Sequence, residues 1–142
     1  MEKEVLITVD SKMDDKNGKN DAMSLVTEGK LKKENNEYTL TYEESEITGL
    51  DGTTTVIKVT NDSVTLIRHG NISAMMLFEV GKTHLTDYQT EYGTVMLGVR
   101  AQKVNIDLND NGGSISVDYV LEYNRAYGGR NSINLKIKEM KH

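Results

Sequence analysis

Cysteine and proline are both missing from this chain of 142 residues. Without cysteine the protein can form no disulfide, no zinc–thiolate site and no thiol nucleophile. Without proline it lacks one of the usual residues that protect the edge strands of a β-sheet. Because closing a sheet into a barrel abolishes its edges, the absence of proline favours a closed barrel.

Positive charge is also scarce, with 17 lysines and arginines against 22 acidic residues and a net charge of −5. This balance disfavours a nucleic acid or an anionic membrane as partner, since both attract basic clusters. No run of about 18 apolar residues could span a membrane as a helix. The segment MEKEVLITVDSK lacks the basic start and long apolar stretch of a signal peptide. We therefore expect a cytoplasmic protein. Its 142 residues are about the length of one domain, so we expect a single domain, residues 1–142.

Apolar and polar residues alternate along most of the chain, which is the period of a β-strand. Clear examples begin at Val5, Val104, Ile115 and Ile133. Residues 22–32 could suit a short helix, but Thr27 and Gly29 weaken that reading and we predict a strand.

Residues 72–80 are apolar on both faces between Ala74 and Phe78, which predicts a strand buried on both sides. The sequence does not decide which of its two faces points inward, because one residue more or less in the preceding loop reverses them.

Turn-forming residues separate these strands at short intervals. The main examples are Asn17-Gly18, Asn35-Asn36, Gly49–Gly52, Asn61-Asp62 and Asp110–Gly113. Short strands joined by sequential tight turns are typical of an all-β protein with an up-and-down meander. The predicted fold is a single antiparallel up-and-down β-barrel of about eight to ten strands, and a barrel of this size holds either packed side chains or one small ligand.

Arg68 interrupts an otherwise apolar strand face. With a tight turn at Asn61-Asp62, Val59 faces Val64, Ile57 faces Leu66, and Thr55 faces Arg68. An arginine near the end of such a wall can hold a carboxylate or phosphate in a bidentate manner. The alternative is that Arg68 pairs with Glu44 or Glu46 and completes the barrel end, since a buried unpaired charge is costly.

The stretches YEESEITGLDGTTTVIKV, VTLIRHG, YQTEYG and YVLEYN occur in this order. Together they resemble the YwiB-like family of small bacterial β-barrel proteins, over nearly the whole chain from Val5 to Ile137. The family pattern falls here on Tyr42, Glu44, Gly52, Thr53, Lys58, Arg68 and Gly70. The resemblance implies a calycin-like barrel, the shape shared by lipocalins and fatty-acid-binding proteins, and it implies no activity.

Tyrosines are the other candidates for lining a ligand site, because each offers an apolar ring and a hydroxyl group. They are Tyr42, Tyr88, Tyr92, Tyr119 and Tyr123. Aromatic residues are also good strand formers, so packing in the core or at the rim is the competing interpretation. The candidate ligand-binding residues are Arg68, Thr55, Tyr42, Glu44, Tyr88 and Tyr119.

Residues 107–118 match the oxygen-ligand spacing of a calcium loop, with Asp118 in place of the usual glutamate. Strand alternation continues up to the turn from both sides, so we interpret this stretch as a plain hairpin.

His69, His84 and His142 do not have the spacing of metal ligands. We interpret Glu44 and Glu46 as a solvated pair rather than a catalytic one. With no catalytic motif present, we expect no enzyme activity, no metal and no cofactor.

Two functions remain open. In the first, the barrel binds a small acidic or amphipathic ligand with Arg68 as its anchor. In the second, the barrel is a non-enzymatic structural or protein-interaction module filled by side chains. It would then show an exposed apolar patch near Met75, Leu77 or Tyr127–Gly129, used for a homodimer or another partner.

Overall fold

The structure, a computed structural model, describes residues 2–14, 20–45, 51–70, 73–90 and 93–140. Ten β-strands contain most of these residues. They are β1 (Glu2–Asp14), β2 (Asn20–Glu34), β3 (Glu37–Glu43), β4 (Thr53–Val59), β5 (Val64–Gly70), β6 (Ala74–Phe78), β7 (Thr83–Thr90), β8 (Gly93–Asn109), β9 (Gly112–Tyr123) and β10 (Ala126–Glu139). Within the described part of the chain there is no helix long and apolar enough to cross a membrane.

The strands form one sheet in the order β6-β5-β4-β3-β2-β1-β10-β9-β8-β7. All paired strands are antiparallel, and β1 pairs with β10 from Val5↔Glu139 to Asp14↔Arg130. β6 and β7 are consecutive in the chain but do not pair, and they are the two edge strands of the sheet. Between them, Val80 forms a single parallel bridge with Ala101 on β8. The predicted all-β up-and-down barrel is confirmed, and it is nearly closed.

The ambiguous residues 22–32 lie within β2, so the strand prediction is correct. The Asn35-Asn36 turn has positive φ at both residues, 50° and 66°. This is the left-handed geometry that a tight hairpin requires and that asparagine tolerates. The Asn17-Gly18 turn and the first half of the Gly49–Gly52 turn lie outside the described residues.

Strand β6 corrects one expectation from the sequence. Met76 and Phe78 are buried, whereas Met75 is 48% exposed. Ala74, Met76 and Phe78 therefore form the inward face, and the Phe78 ring packs on Tyr119 with centroids 4.7 Å apart. The prediction of burial on both sides is wrong, because no described element covers the outer face of β6 at Met75.

Inward-facing side chains from all parts of the sheet form the core, in keeping with the alternation read from the sequence. The largest fully buried ones include Ile7, Leu31, Leu40, Ile57, Leu66, Phe78, Ile115 and Leu135.

The β8–β9 turn lies at one end of the barrel and is tied to the opposite wall. The Tyr38 hydroxyl donates a hydrogen bond to Asp110 Oδ1 over 2.9 Å, and Lys33 Nζ lies 3.4 Å from the same oxygen. Lys3 Nζ donates to Asn111 Oδ1 over 3.0 Å. The hydrogen bond from Tyr38, followed by the charge of Lys33, lowers the pKa of Asp110. The stretch that matched a calcium loop is thus a two-residue hairpin turn, as predicted, and its Asp110 is engaged with protein partners.

Gly29 on β2 is a point of close approach between neighbouring strands. A Cβ at this position would lie 2.5 Å from the Thr41 carbonyl oxygen and 2.6 Å from Ile7 Cδ1. We expect Gly29→Ala to lower the free energy of unfolding by about 1–3 kcal/mol, the usual range for overpacking. Urea denaturation of the wild type and the variant measures this difference.

Gly98→Ala is the matched control in the same sheet. Its added Cβ would lie 3.3 Å from the Cβ and Oε2 of Glu122 and from Leu85 Cδ2, a tight contact that lacks the 2.5 Å overlap with a backbone oxygen found at Gly29. We expect a change of less than about 1 kcal/mol there, as for a compatible glycine-to-alanine substitution. Equal losses at both positions would contradict the close approach at Gly29.

Candidate ligand-binding site

A cavity of about 270 Å³ occupies the barrel interior. Its walls are mainly apolar, and representative residues are Val9, Leu25, Leu66, Met76, Leu97 and Leu121. Met13 and Tyr123 also border it, and they lie at the strand ends remote from the β8–β9 turn. The cavity therefore reaches the end of the barrel opposite the Asp110 cluster.

Arg68 enters this cavity from β5. It is paired across the sheet with Thr55 on β4, and the neighbouring pairs are Ile57↔Leu66 and Val59↔Val64. The register predicted from the turn is therefore correct. Arg68 lines the cavity, and its Nε is buried without a hydrogen-bond partner among the described residues.

Glu44 lines the same cavity and is only 8% exposed. Its Oε1 accepts a hydrogen bond of 2.7 Å from the Thr55 hydroxyl, and its backbone N donates to the Thr53 carbonyl over 2.9 Å. The expectation that Glu44 is solvated is wrong. It follows Tyr42 by two residues, so strand alternation turns both side chains inward. Glu46 lies outside the described residues.

Arg68 and Glu44 do not form an ion pair with one another, although both border the cavity. The ion pairs between described residues instead involve lysines or His84 at other positions. The alternative in which Arg68 is neutralised by direct contact with Glu44 is therefore not what the structure contains. The cavity holds two separate, opposite charges.

Two tyrosines that line the cavity, the buried Tyr42 and the partly buried Tyr119, are affected by the charge of Arg68. Burial raises the pKa of Tyr42 far above its ordinary value; the Glu44 carboxylate adds to the increase and the Arg68 guanidinium opposes it. Burial also raises the pKa of Tyr119, again against the effect of Arg68. Because Arg68 acts to lower the pKa values of tyrosines on both β3 and β9, its charge influences both sides of the cavity.

Tyr88 and Tyr123 lie nearer the mouth of the cavity. The pKa of Tyr123 is raised, first by partial burial and then by the neighbouring Tyr88. Tyr92, also considered from the sequence, lies outside the described residues.

The structure brings five of the six predicted site residues to one cavity: Arg68, Tyr42, Glu44, Tyr88 and Tyr119. The sixth, Thr55, is fully buried and contacts Glu44 rather than bordering the cavity. Sequence reasoning missed Ser11, Met13 and Met23, which line the cavity as well. Strand alternation in the sequence could have identified two of them, because Ser11 and Met13 continue the inward alternation of Val9 along β1.

A family model matches residues 7–135, and its description is "Domain of unknown function (DUF1934)". The chain belongs to the DUF1934 family. The crystal structure of the ywiB protein from Bacillus subtilis superposes on this DUF1934 chain with a TM-score of 0.87 and 21% sequence identity, covering 99% of this chain and 94% of that one. No curated protein matches the sequence. The resemblance to the YwiB-like family is confirmed, and at this identity the structural match establishes the fold.

The Thr55–Glu44 hydrogen bond provides a test of the buried carboxylate. In Thr55→Val the shape is kept but Glu44 Oε1 loses its donor, which we expect to cost about 1–3 kcal/mol of the free energy of unfolding. Chemical denaturation measures the loss.

Thr54→Val is the matched control, one residue away on the outer face of the same strand. Thr54 donates to the exposed Glu43 carboxylate over 2.9 and 3.0 Å. Water can replace that donor, so we expect a change within about 0.5 kcal/mol. A loss at Thr54 as large as that at Thr55 would show that burial of Glu44 is not the cause.

The raised pKa of Tyr42 predicts a dependence of stability on alkaline pH. In the unfolded chain the Tyr42 phenol ionises near the ordinary tyrosine pKa of 10.0, whereas in the folded protein it stays neutral to higher pH. The contribution of Tyr42 is thus complete below about pH 10 and is lost as pH rises further. Urea titrations between pH 8 and 11 should show a shallower decline for Tyr42→Phe than for the wild type, whereas parallel curves would contradict the assignment.

Proposed function

We propose that this DUF1934 protein binds a small amphipathic ligand inside the barrel, with Arg68 holding an acidic group of the ligand. The observation that supports this function is the buried Arg68 Nε, which borders a cavity of about 270 Å³ and has no hydrogen-bond partner among the described residues. A buried donor that lacks an acceptor is costly, and a carboxylate oxygen removes that cost through a charge-assisted hydrogen bond.

The walls of the cavity suit the remainder of such a ligand. Leu25, Leu66 and Leu121 offer apolar contact, while the hydroxyls of Tyr42 and Tyr119 lie near the charged group. Sites for small molecules generally combine apolar walls with a few placed polar groups.

The competing function is a barrel that is filled by side chains and works through its surface. Met75 and Tyr127 are exposed as that function requires, at 48% and 51%. They lie on β6 and β10, which are separated by several strands in either direction around the sheet. The cavity is the observation that favours ligand binding over this alternative.

Native mass spectrometry of the freshly purified protein, compared with the denatured sample, tests the proposal. We expect an added small mass that is lost on denaturation and is missing in Arg68→Met, because the variant lacks the guanidinium donors. The same spectrum reports whether the protein is a monomer or the homodimer considered from the sequence.

Arg100→Met serves as the control, since Arg100 is an exposed arginine on β8. It should keep the added mass. Protein freed of any bound ligand is then heated with octanoate or with octanol, and octanoate should raise the melting temperature of the wild type more than octanol does. A bare native mass together with no stabilisation by octanoate, leucine or phenylalanine would overturn the proposal.

A further inference from the structure

The cavity contains an acidic group as well as the arginine, and this restricts the ligand further than the proposed function does. Glu44 is the residue directly after β3, and Arg68 lies on β5. Strand β4 lies between β3 and β5. Adjacent strands lie about 4.8 Å apart, so the two backbones are separated by about 10 Å. Thr55 on β4 lies between the two side chains, hydrogen-bonded to Glu44 and paired in register with Arg68.

Glu44 has neutral hydrogen-bond partners, the hydroxyls of Thr55 and Tyr42, and no described cation within ion-pair distance. A ligand with only a carboxylate would place a second negative charge in a cavity that already contains Glu44. The cavity would then contain two carboxylates and one guanidinium, and a net buried charge carries a large desolvation cost. A ligand with only an ammonium group would instead give the cavity a net positive charge and leave the Arg68 guanidinium without an anionic partner.

Resting on the proposed function, we propose that the ligand is a small zwitterion of the α-amino-acid type with an apolar side chain, whose carboxylate binds Arg68 and whose ammonium group binds Glu44. Such a molecule adds no net charge to the cavity. It also fills the space between two oppositely charged side chains that do not reach one another.

The size and lining of the cavity agree with this class of ligand. Its volume of about 270 Å³ lies near the lower end of the roughly 300–1,000 Å³ range of small-molecule sites, which suits a small ligand. Leu66, Met76 and Leu121 border the cavity and can pack against an apolar side chain. A longer ligand, such as an aromatic amino acid, would extend toward Met13 and Tyr123 at the mouth.

Binding of matched probes to the wild-type protein tests the inference without any substitution. The first set is L-leucine, 4-methylpentanoate (the same molecule without its ammonium group) and 3-methylbutylamine (the same molecule without its carboxylate). The second set is L-phenylalanine with 3-phenylpropionate and 2-phenylethylamine. Titration calorimetry should show at least one amino acid binding about tenfold or more tightly than both of its analogues, since each loses one charge-assisted contact.

Glu44→Gln separates the role of the carboxylate from that of the fold. Glutamine can still accept the Thr55 hydrogen bond, but it carries no charge to hold an ammonium group. The variant should lose the tenfold preference for the amino acid over its deaminated analogue. Glu43→Gln, the same change on the exposed side of the neighbouring position, should keep the preference.

The outcomes distinguish this inference from the function on which it rests. Tighter binding of 4-methylpentanoate or 3-phenylpropionate than of the matching amino acid would overturn the zwitterion and leave the acidic-ligand function standing. Binding of the amines alone, or of no probe in either set together with a bare native mass, would overturn both. A preference that survives in Glu44→Gln would also refute the assigned role of Glu44.

Discussion

The pairing of β1 with β10 is the constraint on which the rest of the barrel depends. It joins the two ends of the described chain over a continuous register from Val5↔Glu139 to Asp14↔Arg130. On one side of this junction lies the series β2 to β6, and on the other the series β9 to β7. The cavity takes Arg68 from the first series and Leu121 from the second, so it exists only because the two are held together.

The interior that results is mostly apolar but contains two charges that do not neutralise one another directly. Glu44 is satisfied in part by Thr55, and Arg68 acts on the hydroxyls of Tyr42 and Tyr119. Replacing such groups by well-packed apolar residues generally costs a fold little. The ligand recognition proposed above would account for both groups beside the cavity, whereas a contribution to stability would not.

Local sequence signals predicted the parts of the molecule that local geometry determines. The Asn61-Asp62 turn fixed the Thr55–Arg68 register, and the alternation around Leu40 identified the inward face of β3. The same alternation turns Glu44 inward, in agreement with its place among the candidate ligand-binding residues, whereas its interpretation as part of a solvated pair with Glu46 was wrong. Polarity is a weaker guide than register where a strand borders a cavity.

Other features depend on the assembled barrel and leave no trace in a local pattern. Whether the outer face of β6 is covered depends on what lies outside the sheet, and Met75 is exposed because no described element is there. Whether the interior is filled depends on how the inward side chains of distant strands meet. The contact of Tyr38 with Asp110 likewise joins residues far apart in sequence.

Closure by β1 and β10 also has a kinetic consequence. Nearly every other pairing in the sheet is a hairpin between consecutive strands, which can form early because little chain entropy is lost in closing a short loop. The β1–β10 pairing alone joins opposite ends of the described chain. The two meanders, β1–β6 and β7–β10, are thus held together by local pairings, and we expect their docking along this long-range junction to be the slowest step in folding. Until docking is complete, the inward faces of both meanders remain in contact with water and are open to association with other chains.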